Sequence, residues 1–342
     1  MNHRRFHLLE KIQVQLAAAA AFLAVYFLVW PILRPADPHY PLAFLPANSY
    51  VTGFAFAGTV WVLSAACALV TVSSRPEGAL VAALIGAAGA SVRSSQMRFL
   101  LWQSADNLAG VYYVLILEVL ALCVVLLVAG GIVDLVRAAV AGIKPGWLWK
   151  PAIVRLPDAG RGRPRADSGS PGFVEGGDIA ARRYLVLYIV QYLFAPKGGR
   201  KAGGATAGRS ALRLSACCLG LGLVVAVVLL TLMMQSSDRG QILFALLAAF
   251  LVAAGIAHQV FPTPHSIVVW GMPILVAIGA YALAALSAGH PDGSWIDMPM
   301  YSKALPADWV TAGCGGALIG FWISERIHEL RHIERAEAQH SQ

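Results

Sequence analysis

The chain has 342 residues, of which 58% are apolar and 13% charged, and its mean hydropathy is +0.66; a water-soluble domain carries about a quarter charged residues. The apolar residues gather in runs of 15 to 26. That excludes an ordinary soluble domain, a disulfide scaffold and a disordered chain, and predicts an all-α, polytopic transmembrane helical bundle. The formal net charge of +8 is local, since residues 137–213 hold 14 Lys/Arg and 4 acids. A basic loop beside bilayer spans fits anionic lipid headgroups, and no base-reading module points to nucleic acid.

Taking about 20 apolar residues as one crossing, eight spans are expected. The first, Leu16–Leu33, follows Arg4, Arg5 and Lys11. It is longer than a signal-peptide core and lacks a small-x-small cleavage site, so it reads as an uncleaved anchor. The loop Arg34–Tyr50 has prolines at 35, 38, 41 and 46, a spacing that favours extended polyproline conformation.

The second and third spans are Val51–Val72 and Ala79–Trp102. The third begins small and apolar, with Gly86 and Gly89 permitting close helix approach, and then turns polar. Six of the eight residues Ser91–Arg98 are polar. The fourth span, Leu108–Val133, carries Glu118 in an otherwise apolar run. A lone carboxylate at membrane depth costs about 2.5 kcal/mol or more unless paired or protonated.

Arg93 and Glu118 are equally far from the turn centred between Ala105 and Asp106. In a straight antiparallel hairpin that places them at equal depth. The candidate binding residues are therefore Arg93, Ser94, Gln96, Arg98 and Glu118, forming a polar pocket in the outer half of the membrane. Guanidinium groups and hydroxyls suit a phosphate or carboxylate, and the glutamate suits proton relay. The plainer alternative is an ion pair that fixes helix register.

Between the fourth and fifth spans lies the basic loop, taken as 137–210. It separates a first membrane half, 1–136, from a second, 211–324. Its stretch Pro157–Gly177 is rich in Gly, Pro, Ser and Arg. The apolar block Tyr184–Phe194 follows, with a stripe of Tyr184, Tyr188 and Tyr192. Eleven helical residues cover only about 16 Å, too short to cross, so a re-entrant or interfacial helix is expected at 184–194. The run from Gly203 to Ser210 nearly matches a phosphate-binding loop, with Arg209 where lysine belongs. That pattern needs a preceding strand, and a glycine-rich linker is the better reading.

The second half holds Leu214–Met234, Ile242–Phe261, Ile267–Ala288 and Trp309–Ile323. Pro273 should kink the seventh span. In the eighth, Ala312, Gly316, Gly320 and Ser324 recur every four residues, a small face suited to tight helix contact within the chain or with a partner. The outer loop Gly289–Asp308 is apolar enough to lie back on the bundle. A charged helical tail, 325–342, should be held by pairs such as Arg326/Glu329 and Arg331/Glu334.

His328 and His332 share one face of that tail, and Glu325 and Glu329 each precede a histidine by three, a spacing used in carboxylate metal sites. The adjacent His-His pairs of membrane oxygenases are absent from the sequence, so no metal or other cofactor is expected. All five cysteines fall inside apolar spans as small buried hydrophobes.

With both termini cytoplasmic, 21 Lys/Arg lie on that side and 3 on the other, as the positive-inside rule demands. The pattern suits a bacterial inner membrane. Three functions compete: a subunit or scaffold of a membrane assembly with protein partners, a carrier of a small anion or proton-coupled substrate, and an enzyme acting on a lipid.

Overall fold

The computed structural model describes residues 2–37, 39–46, 49–71, 76–143, 205–263, 266–288, 294–296 and 298–340. The Pro157–Gly177 stretch, the 184–194 helix and the side chains of His332, Glu329 and Glu334 lie outside the described residues.

Among the described residues all regular structure is helical. Helix α1, Asn2–Ala24, runs through a π segment at Val25–Val29 into Trp30–Leu33. The others are α2 (Tyr50–Val70), α3 (Pro76–Arg93), α4 (Met97–Gln103), α5 (Leu108–Ile143), α6 (Ala205–Met233), α7 (Arg239–Val260), α8 (Ser266–Ala288) and α9 (Cys314–His340). Ala205–Ser210, the end of the glycine-rich run, belongs to the first turns of α6.

Among the described residues, six helices are long and apolar enough to cross a membrane, and a bent pair makes a seventh if its two parts form one span. The bend corrects the expectation of a straight third span. Its helix stops at Arg93, resumes at Met97 and turns by 53°. Ser94, Ser95 and Gln96 occupy the break, and their side chains offer the backbone alternatives to helical bonding; Gln96 is extended, at ψ 145°.

The expected eighth span does not meet the same length and composition. Asp308 precedes a π segment, Trp309–Gly313, which leads into α9, and charged residues begin at Glu325. This last helix is instead central. Ser302–Leu318 is buried without interruption, packed against α3, α7 and α8.

Its small face is used within the chain. A side chain at Gly316 would strike the Leu247 carbonyl, and one at Gly320 the Leu251 carbonyl, so these glycines let α9 lie backbone to backbone on α7. Gly86 and Gly89 do the same for α3 on α1, with the Phe22 carbonyl 2.8 Å from where a Gly89 Cβ would sit. One core cluster joins the two membrane halves, from Val25 and Phe56 to Phe250 and Phe321.

Both outer loops fold inward. Leu42, Ala43 and Phe44 are buried, as are Met298, Ala304 and Leu305. The first loop is turned rather than polyproline-like, because Tyr40 N–H donates to the Asp37 carbonyl at 3.1 Å.

Candidate functional site

The five predicted site residues divide three ways. Arg93 and Glu118 do not pair. Equal depth requires a straight hairpin, and the break after Arg93 ends that equivalence. Arg93 is exposed on the α1 side of α3. Its guanidinium donates to the Tyr26 carbonyl at 2.9 Å and lies over the Tyr26 and Trp30 rings, 5.0 and 5.5 Å from their centroids.

Glu118 is only 1% exposed and faces the first outer loop. Its Oε2 accepts from Phe44 N–H at 2.8 Å and Leu45 N–H at 2.9 Å. Ser94 serves the same segment: its Oγ accepts from Leu42 N–H at 2.7 Å. Ser94 and Glu118 thus converge on backbone donors of Leu42–Leu45, groups that would be costly to bury unbonded. The carboxylate's other oxygen, Oε1, is buried with no hydrogen-bond partner among the described residues.

Gln96 and Arg98 form the third group. With His39, Ser95 and Phe99 they line a surface depression of about 230 Å³ at the α3–α4 break. Gln96 Nε2 makes a long contact of 3.5 Å to Asp238 Oδ1, and Arg98 is exposed. Phe99 forms the apolar wall, meeting His39 at 5.8 Å and Tyr40 edge-on at 6.2 Å between centroids. Burial first, then the nearby Asp37 carboxylate, pushes the Tyr40 phenol upward, so it packs there as a neutral ring.

A second polar constellation lies beside these and has no local signature. Arg239, at the start of α7, grips Asp308 with two bonds of 2.6 Å each. Its guanidinium also donates to the Ser91 carbonyl at 2.6 and 3.2 Å. Asp308 is fully buried and Arg239 is 11% exposed. Asp308 Oδ2 further accepts from Leu305 N–H at 2.8 Å. One ion pair therefore joins the end of α3, the start of α7 and the entry to α9. The second outer loop is held likewise: Tyr112 bonds Ser302 at 3.4 Å, and Tyr281 donates to the Ala304 carbonyl.

At the other end of the bundle, α7 and α9 are tied by His258 and Ser324. The Ser324 hydroxyl lies 2.8 Å from His258 Nδ1, and the opposite ring nitrogen lies 3.1 Å from the Thr263 carbonyl. A carbonyl only accepts, so Nε2 carries the proton and Ser324 donates to Nδ1. Gln259 Nε2 donates to both the carbonyl and the hydroxyl of Ser324, at 3.0 and 2.9 Å. Ser324 is 1% and His258 3% exposed, so the pair is closed off inside the bundle and clamps α7 to α9. Arg137, also buried, donates to the Thr71 carbonyl at 2.9 Å and so caps α2.

Among the described residues no three His, Cys, Asp or Glu side chains come together as a metal site. Comparison of the chain with protein-family models, with curated proteins and with solved structures gives no match.

Proposed function

We propose that the chain is a multi-pass subunit or scaffold of a membrane assembly, with eight crossings of a bacterial cytoplasmic membrane and both termini in the cytoplasm. The bent α3–α4 pair and the central last helix complete the eight. One observation supports the subunit reading above all. Three polar groups deep in the bundle bond the chain's own loops and helix ends: one oxygen of Glu118 accepts from Phe44 and Leu45, Arg239 bonds Asp308 and Ser91, and Ser324 bonds His258. A carrier needs such groups facing a path or a solute.

The lysine and arginine bias supports the orientation, and the basic charge of 137–213 favours anionic headgroups as its partner. Protein partners would then meet the lipid-facing helices or the loop. A second reading, an anion carrier, draws on Arg98 beside His39 and Gln96 in the outer depression.

The two readings separate in proteoliposomes. A subunit passes no proton or small-anion flux above protein-free vesicles, and Glu118→Gln leaves its assembly intact. Saturable flux abolished by Glu118→Gln or Arg98→Ala, with the fold retained, would establish the carrier instead.

A further inference from the structure

A groove of about 330 Å³ runs along the outside of α7 and α9 among the described residues. Val252, Ile256 and Ile323 form its walls, Gly255 and Gly320 its floor, and Gln259 one end. The groove exists because two glycines lie where the helices cross. A Cβ at Gly255 would meet only the Gly320 carbonyl, 3.8 Å away, so the floor is bare backbone with room above it.

The walls face outward, and Val252 and Ile256 belong to α7, a helix of membrane length. Val252 is 41%, Ile256 44% and Ile323 46% exposed. Acyl chains of the bilayer therefore meet this surface, and a concave apolar channel holds one chain more closely than a convex helix does.

The mouth of the groove is polar and basic. Gln259 gives its amide hydrogens to Ser324, while its Oε1 accepts from Arg331 Nη1 at 3.3 Å. Arg331 lies about three turns beyond Gly320 on the same face of α9 and is exposed. The order along the surface is thus apolar channel, uncharged amide, then guanidinium, which matches acyl chain, glycerol ester and phosphate.

We infer that this groove binds one anionic glycerophospholipid, an acyl chain lying over Gly255 and Gly320 and the phosphate at Arg331. The inference does not depend on the subunit reading.

The test is a native mass-spectrometric titration of the full-length detergent-solubilised protein with phosphatidylglycerol and phosphatidylcholine of identical chains. The unaltered protein should take up one phosphatidylglycerol more tightly than phosphatidylcholine. Arg331→Ala, on an exposed side chain that leaves the bundle intact, should reduce that preference about fivefold, the worth of one arginine at an anionic surface. Gly255→Leu, which fills the channel, should weaken both lipids alike, and Gly255→Ala should not. Equal binding of the two lipids by the unaltered protein, or no tight lipid at all, overturns the inference. So does an Arg331→Ala protein that keeps its full preference.

Discussion

Removing the Glu118 carboxylate should release the first outer loop from the bundle. In Glu118→Ala two backbone donors lose their acceptor. Phe44 is buried at 4% exposure, and a buried donor left unbonded costs about 1–3 kcal/mol. Leu45 is half-buried, so water compensates part of its loss, and the total comes to about 2–4 kcal/mol. Glu118→Gln keeps one acceptor oxygen in place and exchanges charged bonds for neutral ones, which should cost roughly half as much. Denaturant unfolding in a mild detergent gives the stability difference, and amide hydrogen exchange locates it. Protection should fall at Leu42–Leu45 and stay unchanged near His258, at the far end of the bundle. A Glu118→Ala protein as stable as the original, with Phe44 and Leu45 still protected, would refute the reasoning.

Three further substitutions probe the other polar ties. Arg239→Ala strands the fully buried Asp308 and should cost about 3–5 kcal/mol; the double change Arg239→Met with Asp308→Leu should recover much of that in the same unfolding assay. Gly320→Leu drives a side chain into the Leu251 carbonyl and should abolish folding, seen as loss of the sharp size-exclusion peak. Ser324→Val removes the hydroxyl shared by His258 and Gln259 and should cost about 1–3 kcal/mol, with exchange rising at the α7–α9 contact alone.

Much of the architecture is legible in the sequence because hydrophobic length is a direct physical requirement of a span. The glycine faces of α3 and α9 are readable too, since only a missing side chain lets two backbones touch. The burial of both proline- and methionine-containing outer loops follows from their apolar content.

The site was harder to read for three separate reasons. Pairing Arg93 with Glu118 required a straight helix, and three polar residues in a row at Ser94–Gln96 broke it. The partners of Glu118 are backbone N–H groups, which every residue carries and no sequence pattern reveals. Arg239 and Asp308, like His258 and Ser324, meet across 60 to 70 residues, and only the packing order of α3, α7 and α9 brings them together. The one local hint is Pro306 just inside a helix start with Asp308 in its first turn, and that marks a helix start without naming its cation.

The most direct measurement is the intact mass of the assembly released from native membranes in mild detergent, for the unaltered chain and for Glu118→Gln. A membrane subunit should give one heteromeric particle, with a second protein at a fixed ratio to this chain and the same composition in both. A particle made of this chain alone, active in proton or anion flux that Glu118→Gln removes, would contradict it.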